Sequence, residues 1–151
     1  MTLELRLLEP NDARVFDRVA DGVFDCPVDP TLQREFLDDP RHHMYVAIAD
    51  GVVVGMISAV HYVHPDKPAQ LWINEVGVAP SHHRQGIGSR LLDAMLEHGR
   101  SLGCTEAWLG TEEDNVAARR LYLRVASSAA PFILYSFDLS APAAVRDTSA
   151  A

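Results

Sequence analysis

The chain is 151 residues long, enough for one domain with its own core and too short for two. Hydrophobic residues make up 48% and charged residues 23%, as in an average soluble globular protein. With 13 Lys and Arg against 21 Asp and Glu, the formal net charge is −8, which argues against a nucleic-acid binder and suits a cationic partner.

Leu3, Leu5 and Leu7 alternate with polar residues, as a half-buried strand does. Pro10-Asn11-Asp12 breaks the chain, and Val15, Phe16, Val19 and Val23 follow at helical spacing. Asp29-Pro30-Thr31 opens a second short helix that stops at Asp38-Asp39-Pro40. Met44 to Ala49 and Val52 to His61 flank Asp50-Gly51, a hairpin signal because a type I′ turn needs positive φ at both central residues. Val63 to Ala69, with two prolines, reads as a loop, and Leu71 to Val78 as the next strand. Ile87, Leu91, Leu92, Met95 and Leu96 make Gly86 to Ser101 an amphipathic helix, with Gly103 as its stop. Glu106 to Gly110 is a strand, Ala118, Leu121, Tyr122 and Val125 share a helix face, and Phe132 to Leu139 is a last strand.

Hairpins in the first half and a β-α-β unit in the second predict an α/β (α+β) domain over residues 1–140, a mixed sheet with helices on its faces. Residues 141–151 are small and polar and read as a tail. The N-terminus lacks the apolar stretch of a signal peptide, and Met44 to Val63 is interrupted by Asp50 and Gly51, so no membrane span and a cytoplasmic location are expected. Cys26 and Cys104 are too few for a disulfide framework and are expected to be structural. The histidines, including the pairs His42-His43 and His82-His83, lack a ligand set at zinc spacing and are expected on the surface or in turns, with no metal. Trp72 and Trp108, on neighbouring strands, are expected in the core or on a cleft wall.

The chemically informative segment runs from Asn74 to Leu92. A strand ends at Val78, a polar turn follows, and Gly86-Ile87-Gly88 opens a helix. The first N–H groups of a helix lack internal partners and carry partial positive charge, and glycine lets a ligand approach them. The turn therefore suits a phosphate or pyrophosphate, with Arg84 adding a charged donor. A P-loop needs Lys after the second Gly, where this chain has Ser89-Arg90. A dinucleotide turn needs a third small residue, where this chain has Leu91. A plain strand-to-helix turn is the remaining alternative.

The wider stretch resembles motif A of the GCN5-related N-acetyltransferase (GNAT) superfamily, in Val76-Gly77-Val78-Ala79-Pro80 and in Gly86-Ile87-Gly88. Three residues before Gly86, where the family usually has Arg or Gln, this chain has His83. Asn115-Val116-Ala117-Ala118-Arg119-Arg120-Leu121-Tyr122 resembles a second family helix, although the Gly-Phe often found downstream is replaced by Val125 to Pro131. The resemblance covers about Leu3 to Leu139. It implies the GNAT acyl-CoA N-acyltransferase fold, acetyl-CoA as cofactor, and acetyl transfer to a primary amine.

By that resemblance Val76, Gly77 and Val78 present backbone to the thioester and pantetheine. Gln85, Gly86, Ile87, Gly88 and Ser89 hold the pyrophosphate, with His83 and Arg84 at its edge. Tyr122 is the expected general acid or else a core tyrosine, and Asn115 a cofactor contact or a helix cap. Glu75, in the motif A strand, is the candidate base, because an amine with a pKa of about 10 must lose a proton before it attacks. Glu112, Glu113 and Asp114 either bind a cationic acceptor or simply favour a helix start. Within the superfamily the chain most resembles small aminoglycoside 3-N-acetyltransferases, through Asn74-Glu75-Val76-Gly77-Val78, the His83 to Gly88 turn, the acidic run Glu112 to Asp114 and Phe137-Asp138. A homodimer is expected on the same ground. The alternatives are an acetyltransferase for a protein N-terminus, lysine or metabolite amine, and a non-catalytic acyl-CoA-binding domain.

Overall fold

The structure is a computed structural model and describes residues 2–140 and Pro142. Apart from Pro142, the tail expected over 141–151 lies outside the described residues. Five strands, β1 (Leu3–Leu7), β2 (His42–Ala49), β3 (Val52–His64), β4 (Lys67–Val78) and β5 (Glu106–Trp108), form one sheet in sequence order. The first four are antiparallel and β5 joins β4 in parallel, the mixed sheet that was expected. The three α-helices are α1 (Pro30–Asp38), α2 (Ile87–Ser101) and α3 (Val116–Leu123).

Local chemistry explains most boundaries. Asp50 (φ 50°) and Gly51 (φ 77°) make the β2–β3 turn, with Ala49 opposite Val52. The Asp29 carboxylate accepts from the N–H groups of Thr31 and Leu32 and caps α1. Gly103 (φ 82°) ends α2 as predicted.

Four expectations about elements are corrected. The first predicted helix is only a 3₁₀ turn over Ala13–Asp17, because Val19 instead bridges to Val53 and Val23 is buried on the sheet. The predicted loop over Val63 to Ala69 does not form: β3 and β4 stay paired to His64 and Lys67, and only Pro65 and Asp66 turn the chain. The strand predicted to reach Gly110 stops at Trp108. Phe132 to Leu139 is not in the sheet, and its large apolar side chains are exposed.

Two apolar layers cover the sheet. On one face Leu91 and Met95 of α2 pack on Ile57, Leu71 and Ile73, with Val76, Val78 and Tyr122 at the margin. On the other, Val23, Met44, Val46 and Met56 pack with Phe16, Phe24 and Phe36. A bulge in β4 decides which face receives each later side chain: Ser58 faces Glu75 but Ala59 faces Ile73, so Asn74 is the extra residue. Strict alternation from Leu71 and Ile73 puts Glu75 under α2. With Asn74 inserted, Val76 and Val78 take that face and Glu75 comes out on the opposite one.

Three histidines form a chain across the sheet. His98 Nε2 lies 3.0 Å from His43 Nδ1, and His43 Nε2 lies 2.8 Å from His61 Nδ1. His43 is 7% exposed, so the expectation of surface or turn histidines fails here: the bridging of α2, β2 and β3 lets polar rings be buried with partners. The central ring uses a different nitrogen towards each neighbour, so the three do not converge on one metal position. Burial, with His98 and His61 nearby, pushes the His43 pKa down to about 4. Cys104 is partly buried and burial pushes its thiol up, as for a structural cysteine; Cys26 is exposed, against expectation. Trp72 and Trp108 meet edge to face at 4.1 Å between centroids.

Candidate active site

The site is built where β4 and β5 part. They pair only from Gln70 to Trp72 against Glu106 to Trp108, after which β4 continues to Val78 bonded to β3 alone. The Ala79 N–H donates to the Val54 carbonyl at 2.9 Å. Backbone groups alternate sides along a strand, so the N–H groups of Gly77 and Glu75 also face β3, and those of Val76 and Val78 face the gap. The Val78 carbonyl, on the gap side, accepts from His83 Nε2 at 2.7 Å. His83 is thus tied to the strand end as well as lying beside the helix turn.

The start of α2 stands next to this gap. Its first helical bond runs from the Arg90 N–H to the Gly86 carbonyl, so Ile87, Gly88 and Ser89 have N–H groups free of intrahelical partners. Asp29 and Asn115 cap α1 and α3 with their side chains, but no side chain caps α2. Gly86 has φ 76°, and a Cβ added to it meets nothing within 4 Å. Arg84 is held at φ 59°, a left-handed conformation costing a non-glycine residue about 1–2 kcal/mol. The two glycines differ in role. Gly86 leaves open space above free amides, whereas Gly88 makes room for Leu121, whose Cδ2 is 3.2 Å from a Cβ built there. Gly77 is a packing glycine, because any Cβ on it overlaps the Val23 carbonyl oxygen.

Asn115 Oδ1 accepts from the Ala118 N–H at 3.1 Å, so its capping role is realised. Tyr122 is half-buried at the margin of the α2 layer, and its hydroxyl has no hydrogen-bond partner among the described residues. Burial, with Glu112 nearby, raises its pKa and keeps the phenol protonated. Glu112, Glu113 and Asp114 are exposed in the turn before α3, where the Asn115 N–H donates to the Glu112 carbonyl and Arg119 to that of Glu113.

Glu75 keeps different company from the acidic run. It lines a cleft of about 340 Å³ together with Asp25, Cys26 and Asp29 and the apolar Phe16, Phe24, Phe36 and Met44. Burial raises its pKa, and the Asp25 carboxylate raises it further. Asp29 is engaged in its cap, which leaves Asp25 as the second carboxylate of the cleft. Sequence reasoning missed Asp25: it lies in a stretch without periodicity, and only the return of that stretch over β4 brings it to Glu75.

The mixed sheet, the parted strands and the open helix start are those of the acyl-CoA N-acyltransferase fold, and residues 13–126 match the Acetyltransferase (GNAT) family, to which the chain belongs. A mycothiol acetyltransferase of Saccharopolyspora erythraea is 38% identical over 95 residues, covering 62% of this chain. The chain spans 29% of that relative's length and 55% of an uncharacterized N-acetyltransferase of Mycobacterium bovis. Among solved structures, an aminoglycoside acetyltransferase from an uncultured soil metagenomic sample, in complex with trehalose, superposes with a TM-score of 0.77 at 19% identity, over 91% of this chain and 96% of the other. AAC(6')-Iy, in complex with the bisubstrate analog CoA-S-monomethyl-acetylneamine, superposes with a TM-score of 0.73 at 17% identity, over 91% and 98%. Because aminoglycoside neighbours include a 6' enzyme, the expected 3-N position is not singled out. No helix among the described residues is long and apolar enough to cross a membrane.

Proposed function

We propose that this chain is an acetyl-CoA-dependent N-acetyltransferase acting on a primary amine of a small cationic acceptor, with an aminoglycoside as the leading candidate. The observation that carries the reading is the junction of β4 and α2. There, outward N–H groups of a parted strand adjoin an uncapped helix start with open space over Gly86. These residues fit coenzyme A: Gln85 to Ser89 with Arg84 for the pyrophosphate, and Val76 and Val78 for the pantetheine and thioester. Bound there, acetyl-CoA supplies an acetyl group activated as a thioester.

The chain's own residues do the rest. The Val76 N–H hydrogen-bonds the oxygen that gains negative charge as the amine attacks, a contribution worth about 3 kcal/mol in comparable sites. Glu75, on the opposite face from the helix turn, takes a proton from the ammonium directly or through water. Its raised pKa brings it nearer to the amine's and makes it a stronger base than an ordinary carboxylate. Tyr122 gives its proton to the departing sulfur, and its raised pKa keeps that proton in place until then. Asp25 and Glu75 together favour an acceptor with more than one positive charge, while Phe24 and Phe36 favour one with a carbon framework.

Two glycines at opposite ends of α2 make an internal control. Gly86 and Gly103 both have positive φ and open space for a Cβ, so Gly86→Ala and Gly103→Ala carry a similar strain of about 1–2 kcal/mol. Only Gly86→Ala is expected to weaken coenzyme A binding, by about tenfold, since one lost charge-assisted amide contact is worth 1.5 kcal/mol or more. Calorimetric titration reads this directly, and equal affinities in the two variants refute the pyrophosphate assignment.

Asp25→Asn is expected to raise KM for a polycationic acceptor about tenfold. It should also shift the acid limb of the kcat/KM profile to lower pH, because the Asp25 charge helps to hold the Glu75 pKa up. An unmoved limb separates Asp25 from the base. The overall reading is tested by acceptor-dependent release of CoA across aminoglycosides, polyamines and N-terminal peptides. Turnover only with peptides moves the acceptor to protein N-termini, and CoA binding without turnover on any amine leaves a non-catalytic acyl-CoA-binding domain.

A further inference from the structure

The sheet face that carries Glu75 continues past the cleft. Leu71 and Ile73 are buried under α2, so Gln70 and Trp72 point to the other face of β4, where the Asn74 bulge also brings out Glu75. Parallel pairing sets Glu106 beside Gln70 and Trp108 beside Trp72 on that same face. The side chains agree: Gln70 Nε2 donates to Glu106 Oε2 at 2.9 Å, and the two indoles meet at 4.1 Å with their planes 74° apart. Three rows therefore follow one another along the strand: Glu75, then Trp72 with Trp108, then Gln70 with Glu106. At about 3.3 Å per residue, the first and last rows lie about 15 Å apart. On this face α1 stacks Phe36 over His42 of β2 at 5.1 Å, but the rows further across the sheet stay open. Trp108 is 46% exposed, and Tyr62, opposite Gln70 on β3, is 52% exposed.

We propose, on the strength of the acetyl-transfer reading, that Trp72 and Trp108 are the platform for the non-reacting part of the acceptor and that Glu106 takes a second ammonium at its far end. The acceptor is then a polyamine built on more than one saturated ring. Chemistry favours this occupant. The C–H face of a saturated ring packs on an indole, and an ammonium is drawn both to the indole face and to a carboxylate. Charge favours it as well, since Glu75 and Asp25 stand at one end, Glu106 at the other, and the three rows hold no Lys or Arg. Length favours it too: a single ring bearing one amine fills the Glu75 end and leaves the platform bare.

In the full chain carrying Trp72→Phe, Trp108 is the remaining tryptophan, and its emission reports the platform without any cofactor. Gentamicin, with several rings and amines, should change that emission, whereas glucosamine, with one of each, should not. Trp108→Leu should raise KM for gentamicin about tenfold, with kcat within a few-fold and coenzyme A affinity unchanged by calorimetry. Trp108→Phe should recover part of the loss, because it restores an aromatic face. Glu106→Gln can still accept from Gln70, and it should weaken gentamicin binding about threefold at low salt and less at high salt. Emission unmoved by gentamicin, a gentamicin KM unaltered by Trp108→Leu, or an equal rise in KM for glucosamine each overturns the platform. A change in emission with gentamicin in a protein that transfers no acetyl group overturns the acetyl-transfer reading instead, and leaves the platform standing as a binding site.

Discussion

Tyr122→Phe is expected to lower kcat by about a hundredfold or more, the range for loss of a positioned general acid, with coenzyme A affinity nearly unchanged. The ring occupies the same place at the margin of the α2 layer, so its packing against the buried cluster is kept and only the hydroxyl is removed. A proton on that hydroxyl is secure at neutral pH, because burial and the nearby Glu112 both raise its pKa. The split between kcat and cofactor affinity is the diagnostic result, since a tyrosine that merely walls the cleft gives a variant whose kcat stays within a few-fold of the parent. Burst and steady-state CoA release with one good acceptor measures it. Varying the acceptor adds a second test: amines of higher basicity should not rescue the variant if departure of the sulfur is the step affected.

Acid is expected to destabilise the fold through the histidine chain. His43 titrates near 4 in the folded protein against an ordinary 6.5, so below pH 6.5 the unfolded chain takes up a proton that the folded chain refuses. Its contribution to stability is therefore complete above that ordinary value and is lost as pH falls from about 6.5 towards 4. The loss amounts to ~2 kcal/mol by pH 5, by linkage from those two values. Asp39, His42, His61 and His98 are the titratable groups that act on this ring, and His98 is itself lowered, by burial first and then by His61, so it adds in the same direction. Urea unfolding at pH 8 and pH 5 reads the effect. His43→Leu should flatten the slope between those values, and an unchanged slope assigns the acid sensitivity elsewhere.

Both results depend on features with different legibility. The Asp50-Gly51 turn, the Asp29-Pro30-Thr31 helix start, the Gly103 stop and the glycine-flanked start of α2 were all readable from sequence, because each is decided by φ preferences and hydrogen bonds within four residues, whereas Asn115 stayed between a cofactor contact and the cap it forms. The periodicity of Ile87 to Leu96 likewise revealed the helix and its buried face. The family resemblance had the same basis, since the strand-turn-helix of the site is continuous in sequence.

Reading fails where a segment's state depends on what lies across the sheet. Val15 to Val23 has helical spacing, but the layer over β3 claims Val19 and Val23 and pulls them out of a helix. Residues 132–139 have strand composition, yet a strand exists only where an edge receives it. The sequence alone marked the α2 turn as a set of free amides suited to a phosphate, because the unpartnered N–H groups at a helix start and the room that glycine leaves beside them are local properties of the backbone. Only the tertiary structure decided which face Glu75 serves and that Asp25 stands beside it. A single inserted residue at Asn74 reverses the side-chain alternation, and bringing a loop back over a strand is a matter of packing that no short window of residues contains.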